Sequence, residues 1–357
     1  MSPGALDRPL VVVVGGGGVG KTTLAAALGV VSAEAGTDTL VMTFDPSRRL
    51  KDALGVGDEA GDRETPAPLG AEGRLDVSLL DARATFDRLV TRYAPDPQAA
   101  ERVFRNRFYR DLAGSLAGIL EYMAVERLFE VASRGAYQRV ILDTPPTRQA
   151  LDFLEAPDRV VGFLDSGAVK LALAPWFDRA GRFRRPPGFA LAQKGVEAVL
   201  DRIIGAGLLR EMAEFFEAFA PLYGGFRERA QAVRALLRRP DTVFLLVSGP
   251  GEARVADTMH FARRLRDGGH HLGAIVVNLV HPEVPAVPPA TPSAVREGLE
   301  LLAALGERDR RGLTALRGLL AGSRAPVALP LRADPPADLP ALGALGRDLL
   351  ARLAAAP

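Results

Sequence analysis

Short apolar runs, rich in β-branched residues, recur along the chain and have the length expected of buried strands. They predict strands at Leu10–Val14, Thr39–Phe44, Leu75–Leu80, Arg139–Leu142, Thr242–Val247, Ala274–Leu279 and Val327–Leu331. Longer helical patterns separate most of them, at Lys21–Ala35, Ala84–Tyr93, Ala99–Ser133, Glu252–Asp267, Ser293–Leu320 and Asp338–Ala354. This alternation predicts an α/β fold with a doubly wound, mainly parallel sheet, in which ligands bind at the carboxyl ends of the strands.

One long stretch, residues 149–240, interrupts this alternation between the fourth and fifth predicted strands. Its pattern is mostly helical, which predicts a helical insertion within a single domain that spans residues 1–357. The apolar residues around Phe215 recur at helical spacing, and they form either the core of the insertion or an exposed groove for a partner. The segment Gly57–Gly73 is rich in Gly, Pro and acidic residues and predicts a surface loop.

Composition excludes several classes of function. The formal net charge of +2 argues against a dedicated nucleic-acid binder. The chain contains no cysteine, which rules out disulfides and thiolate metal sites. No signal-like segment precedes Leu10, and no apolar run approaches the roughly 20 residues that span a bilayer. We therefore expect a cytoplasmic protein without a transmembrane segment.

The first predicted strand runs into a phosphate-binding motif, in the segment "VVVVGGGGVGKTTLA". The pattern G-x-x-x-x-G-K-S/T is met with a strand before it and a helix after it. Inward backbone N–H groups and the positive end of the following helix bind phosphates in such a loop. The predicted nucleotide-binding residues are Gly15, Gly16, Gly17, Gly18, Val19, Gly20, Lys21, Thr22 and Thr23. Lys21 is expected at the β- and γ-phosphates and Thr22 at Mg²⁺.

Two further predicted strands end in carboxylates that would converge on the same crevice. Asp143 ends the strand in "QRVILDTPPT" and could reach the Mg²⁺ shell through water. Asp45 follows the strand in "VMTFDPSRRL", where it could orient an attacking water and contribute to the metal site. A lone carboxylate at this position is often a helix N-cap, but three converging strand ends favour a functional site.

At these residues the chain resembles the ArsA-type arsenical-pump ATPases and the related ATPases that target tail-anchored membrane proteins. The segment "FDPSRRLKDALG" resembles the first nucleotide-sensing switch of that family, and "LDTPPTRQALDFLEAP" resembles the second. The segments "AIVVNLVHP" and "ALPLRADPP" resemble the two stretches that hold the adenine ring, and "AGILEYMAVERL" resembles the segment before the second switch in bacterial members. The likeness extends over most of the chain.

The resemblance implies a role for each matching residue. Asp45 would activate water, Asp143 would support Mg²⁺, and residues 144–147 would sense the γ-phosphate. Asn278 would bond the adenine edge, and Pro330 or its neighbours would cover the ring. The resemblance also implies ATP and Mg²⁺ as cofactors, and a dimer in which the helical insertion meets a client.

The chain departs from the family where cysteine is needed. The family's known type of arsenite site and the zinc site that joins the targeting dimer both use cysteines, and neither is possible here. The client groove of the targeting factors is rich in methionine, whereas the insertion of this chain has only Met212. Arg48 replaces a histidine in the first switch, and Arg148 with Gln149 replaces Gly-His after the second.

The phosphate loop also lacks a lysine. Relatives carry a second lysine at the position of Gly16, where it reaches the phosphates of the partner subunit. Three alternatives remain: another cation substitutes, with Arg48, Arg49 and Arg148 as candidates; a paralogous subunit supplies the lysine in trans; or the site binds ATP with little hydrolysis.

The sequence therefore predicts an ATP-hydrolysing molecular switch that forms a homodimer, or a heterodimer with a paralogous ATPase. Its client would be a protein or a membrane-associated partner. One alternative is a weakly hydrolytic, nucleotide-binding subunit that acts as a structural partner of a paralogue. A small-molecule kinase is a third possibility, against which the two switch-like segments argue.

Overall fold

The computed structural model describes residues 6–44, 49–57, 63–94, 96–105, 119–145, 147–166, 225, 227–285, 292–320 and 325–356. Statements below on what is absent refer to these residues. Among their helices, none combines the length and apolar character that crossing a bilayer requires.

The described strands form one eight-stranded sheet, in the order β3-β4-β2-β5-β1-β6-β7-β8. Only the β3–β4 pair is antiparallel, and the other neighbours run parallel. The strands are β1 Leu10–Gly15, β2 Thr39–Thr43, β3 Thr65–Pro66, β4 Leu75–Leu79, β5 Arg139–Asp143, β6 Thr242–Ser248, β7 Leu272–Val280 and β8 Val327–Pro330. The predicted α/β fold with a mainly parallel sheet is confirmed.

Helices connect most of these strands. They are α1 Lys21–Glu34, α2 Arg49–Leu54, α3 Ala82–Tyr93, α4 Pro97–Arg105, α5 Ile119–Arg134, α6 Thr147–Leu164, α7 Val255–Asp267, α8 Ser293–Leu319 and α9 Leu339–Ala355. Residues 227–237 are also helical. A 3₁₀ turn at Glu252–Arg254 leads into α7, so the helix predicted from Glu252 begins as a 3₁₀ turn.

Two short elements were not predicted. The strand β3 lies inside the predicted loop Gly57–Gly73, where it pairs only with β4. Two residues are too few to show an alternation of apolar and polar positions, so periodicity could not find this strand. The six-residue helix α2 lies within the first switch-like segment and is likewise too short to show a repeated helical period.

The parallel strands are buried because helices cover the sheet. Val11 and Val13 of β1 are at most 1% exposed and share a core with Leu24 of α1 and with Leu345 and Leu349 of α9. Burial of each such side chain contributes roughly 1.5–3 kcal/mol. Strands buried in this way appear in the sequence as continuous apolar runs, which explains why their positions could be predicted.

By their contacts the residues divide into two compact units. The first contains the whole sheet and comprises Met1–Leu80, Ala132–Leu151 and Leu236–Pro357. The second comprises Asp81–Val131 and Asp152–Ala235. The predicted insertion, residues 149–240, contributes to the second unit, but residues 167–224 lie outside the described part, so its boundaries stay a prediction.

A buried polar cluster holds the second unit together. The Arg229 guanidinium donates from Nε to both oxygens of Glu126, at 2.9 and 3.1 Å, and lies 3.9 Å from the ring centroid of Tyr93. The Tyr122 hydroxyl donates to the same carboxylate. Burial raises the pKa of Glu126, which Arg229 opposes. The cluster joins residues more than 100 positions apart, so it holds together parts of the second unit that are distant in sequence.

The close packing of α1 against α9 yields a test of the fold. A Cβ atom on Gly346 would lie 2.6 Å from the carbonyl oxygen of Ala27 and from Cγ1 of Val31. Gly346→Ala should therefore force the helices apart and lower the free energy of unfolding by about 1–3 kcal/mol. Urea unfolding followed by circular dichroism measures the change.

Gly298→Ala is the matched control, because a Cβ on this exposed glycine of α8 meets no atom within 4 Å. Alanine favours a helix over glycine by up to about 1 kcal/mol, so this variant should be as stable as the wild type or more so. Equal stability of the Gly346→Ala variant and the wild type would contradict the packing described.

Candidate nucleotide-binding site

The phosphate loop lies at the carboxyl end of β1, and its glycines are required by their surroundings. Gly15 has φ +149°, and a Cβ there would lie 1.9 Å from the carbonyl oxygen of Val247. Gly20 has φ +89°, and a Cβ there would lie 2.4 Å from the amide nitrogen of Asn278. Residues with side chains fit neither position, so the loop keeps its backbone groups exposed for a ligand.

The helix that follows the loop begins without a side-chain cap. Its N-cap residue is Gly20, which makes no side-chain hydrogen bond, and its first turn holds no acidic residue. By contrast, Asp81 caps α3 and Asp338 caps α9 through side-chain oxygens. The first N–H groups of α1 are thus not satisfied by a cap, and with the positive end of the helix they favour an anion.

Lys21 brings a positive charge into the loop. Its side chain is 7% exposed, and Nζ donates to the carbonyl oxygen of Gly16 at 2.8 Å. The ammonium group therefore reaches back across the loop from the first residue of α1. This position suits a cation that binds phosphate oxygens held by the same loop.

The Asp143 carboxylate joins three elements at this edge of the sheet. Its Oδ2 accepts a hydrogen bond from the Thr22 hydroxyl of α1 at 2.6 Å and from the Thr43 hydroxyl of β2 at 2.9 Å. Asp143 is 2% exposed, and Thr43 lies opposite it in the β2–β5 register. A hydroxyl and a carboxylate that share a hydrogen bond are oxygen ligands of the kind that Mg²⁺ prefers.

Two more hydrogen bonds hold the loop and the strand that leads into it. The Asn278 amide nitrogen of β7 donates to the carbonyl oxygen of Val19 at 2.9 Å. The Thr144 hydroxyl donates to the carbonyl oxygen of Val13 at 2.8 Å. Leu279 follows Asn278 with φ +63°, an uncommon conformation for a branched side chain, at an irregularity in the β7–β8 pairing. Asn278 is thus positioned beside the loop.

The structure brings some of the predicted site residues together and leaves others undescribed. Lys21, Thr22, Asp143 and Asn278 meet around the loop, through the contacts given above. Pro330 ends β8, where it lies opposite Val280 of β7, and is exposed. The predicted residues that lie outside the described part are Asp45 and Arg48 and the side chains of Arg49 and Arg148.

Sequence reasoning missed the part played by Thr43. The Thr43 hydroxyl donates a hydrogen bond to Asp143. Thr43 lies in an apolar strand, where a threonine is usually interpreted as a β-branched core residue. The signal that could have revealed it was its place at the end of β2, next to β5 at the same edge of the sheet.

Part of the chain matches a known family. Residues 9–176 match the model of the ArsA ATPases, described as anion-transporting ATPases. The resemblance carried by the loop and the two switch-like segments is therefore confirmed: these residues carry an ArsA-type ATPase domain, which implies nucleotide binding.

Curated relatives agree with this assignment. A protein of Aquifex aeolicus provisionally named arsenical pump-driving ATPase 1 is 25% identical over 275 residues, which cover 75% of this chain and 62% of that protein. ATPase ARSA1 of Chlamydomonas reinhardtii is 28% identical over 303 residues, which cover 77% of this chain and 35% of that protein. ATPase get3 of Aspergillus terreus is 34% identical over 148 residues, which cover 40% of this chain and 42% of that protein. The chain thus spans less than two thirds of the length of each.

Replacing Thr43 tests the hydrogen bonds around Asp143. Thr43→Val keeps the shape of the side chain but removes a donor to a buried carboxylate. A hydrogen bond to a charged group contributes about 1.5–3 kcal/mol, so the free energy of unfolding should fall by that amount. Chemical unfolding of the ligand-free protein measures it.

Thr91→Val on the exposed face of α3 is a control for the substitution itself, since its hydroxyl bonds only a local carbonyl, that of Asp87. We expect its free energy of unfolding to stay within about 0.5 kcal/mol of the wild type. If Thr43→Val were equally harmless, the hydrogen bond from Thr43 to Asp143 would not matter for the fold.

Proposed function

We propose that this protein binds ATP with Mg²⁺ at the loop formed by residues 15–23 and hydrolyses it to ADP and phosphate. The observation that carries the proposal is the 2.6 Å hydrogen bond from the Thr22 hydroxyl to Asp143. It brings a phosphate-loop hydroxyl and a strand-end carboxylate together across 121 positions of sequence. This pair is what a magnesium site beside a phosphate loop requires.

The residues of the loop fit such a ligand. The glycine backbone and the uncapped start of α1 would bind the phosphates, and Lys21 would pair with their oxygens. Thr22 would ligate the metal, and Asp143 would hold the metal's shell through water. When bound, Mg²⁺ neutralises charge on the phosphate oxygens.

Other roles are proposed from the resemblance to the ArsA-type ATPases. Asp45 would accept the proton of the attacking water and support the metal site. Arg48 and Arg148 would stabilise the charge on the transferred phosphoryl group. Asn278 would bond the adenine, and Pro330 would cover it. Support for Asn278 comes from its place beside Gly20, the residue of the loop that directly precedes α1.

The protein would act as a switch rather than as a small-molecule enzyme. Binding of ATP would order the two switch-like segments, and the helical insertion, residues 149–240, would couple the nucleotide state to a protein or membrane-associated client. We propose that it works as a dimer, with itself or with a paralogous ATPase. The match to the ArsA family model supports this proposal, since the two switch-like segments lie within residues 9–176.

Gly16 favours a second candidate function. Its position in the loop carries no side chain that could reach a phosphate. The chain would then bind ATP, hydrolyse it slowly, and serve as the structural partner of a paralogous ATPase. Slow turnover that rises when a paralogue is added would favour this second candidate.

Lys21→Ala tests the proposed activity. The substitution removes the cation that lies across the loop, so phosphate release from ATP should fall at least about 100-fold. ATP affinity, measured by titration calorimetry, should fall with it. Circular dichroism should show that the variant retains its fold.

Arg317→Ala is the charge-matched control, because Arg317 is exposed near the end of α8. It should leave both ATP affinity and turnover at the level of the wild type. A Lys21→Ala variant that binds and hydrolyses ATP as the wild type does would refute the proposed site.

A further inference from the structure

A second cation approaches the phosphate loop from β6. The strands β1 and β6 are parallel neighbours, and Gly15 lies opposite Val247 in their register. After β6 the chain turns at Gly251, which has φ +94°, and enters the 3₁₀ turn that ends at Arg254. Because the carboxyl ends of neighbouring parallel strands lie side by side, this turn stands next to the loop.

The Arg254 side chain lies over the end of β6, against the loop. Its Cγ and Nε are each 3.9 Å from the position that a Cβ would take on Gly249, and Cγ1 of Val19 is 3.5 Å from the same position. Arg254 also lines, with Gly15 and Gly16, a cavity of about 20 Å³. A cavity of that volume holds about one water, so the arginine borders the loop with little space between. Gly16, which shares this cavity with Arg254, is the position where relatives carry lysine.

The neighbouring cations of this surface are already engaged. Arg308 donates to Asp309 at 2.9 and 3.1 Å, and the buried Asp309 carboxylate also accepts hydrogen bonds from His281. Arg311 lies 3.5 Å from Glu252. Both guanidinium groups are thus paired with carboxylates.

Arg254 differs from these neighbours. No carboxylate of the described residues lies within 4 Å of its guanidinium, although it borders a cavity that Asp257 also lines. Asp257 sits in the first turn of α7, where the helix dipole favours a carboxylate. The Arg254 guanidinium therefore remains available to an anion on the loop.

We infer that Arg254 supplies a cation to the phosphate loop of its own chain, which has no lysine at position 16. Its guanidinium binds the terminal phosphate of a nucleoside triphosphate held by the loop of the same chain. The planar guanidinium donates two parallel hydrogen bonds to a phosphate, which suits this role. The inference rests on the proposed function, because it needs a triphosphate at the loop.

Affinities for two nucleotides test the inference. The dissociation constants of ADP and of a non-hydrolysable ATP analogue, both with Mg²⁺, are measured for the wild type and for Arg254→Ala. A contact to the terminal phosphate should make Arg254→Ala bind the analogue about tenfold more weakly, or about 1.4 kcal/mol, with ADP binding unchanged. Arg254→Lys should keep part of the affinity for the analogue.

Two further variants separate this contact from a general effect of charge or stability. Arg263→Ala removes an equal charge from the exposed side of α7, the helix that follows Arg254, and should leave both constants unchanged. Gly16→Lys, added to Arg254→Ala, should restore binding of the analogue. Gly16 is not among the glycines with positive φ, the conformation in which a side chain strains the backbone.

The outcomes are distinguishable. If the wild type binds both nucleotides and Arg254→Ala binds the analogue equally well, the inference is wrong and the proposed function stands. Equal weakening of ADP and analogue would also overturn it, since the terminal phosphate would then not be the group contacted. If the wild type binds neither nucleotide, the proposed function fails and the inference fails with it.

Discussion

The hydrogen bonds that Asp143 accepts from Thr22 and Thr43 are the interaction on which the site depends. They join the end of β5 to the start of α1 and to the end of β2. A carboxylate that is 2% exposed is costly to bury unless such donors surround it. The donors therefore stabilise the fold and, at the same time, set two oxygen ligands beside the phosphate loop.

The loop itself is held from the opposite side by β6 and β7. Gly15 packs against the carbonyl oxygen of Val247, and Asn278 donates to the carbonyl oxygen of Val19. With Asp143 on one side and these contacts on the other, the loop is anchored by three strands besides its own. Its backbone amides thus keep their positions before a ligand arrives, and preorganisation of this kind strengthens anion binding.

The sequence predicted the sheet and the loop because both have local signals. Continuous apolar runs mark buried parallel strands, and the spacing of glycines, Lys21 and Thr22 marks the phosphate loop. Contacts that depend on the strand order have no such signal. Arg254 lies more than 200 positions from Gly16 in sequence, and only the pairing of β6 with β1 brings the two together. The short elements β3 and α2 were missed because they are too short for their periods to repeat enough times to be recognised.

Thermal unfolding of the wild-type protein tests the central claim, that the loop and the Thr22–Asp143 pair form a site for ATP with Mg²⁺. At an ATP concentration about 100 times the dissociation constant, a ligand that binds only the folded state stabilises it by about 2.7 kcal/mol. We therefore expect ATP with Mg²⁺ to raise the melting temperature by several degrees, and ATP with excess EDTA to raise it much less. A melting temperature that ATP and Mg²⁺ leave unchanged at every concentration would contradict the account.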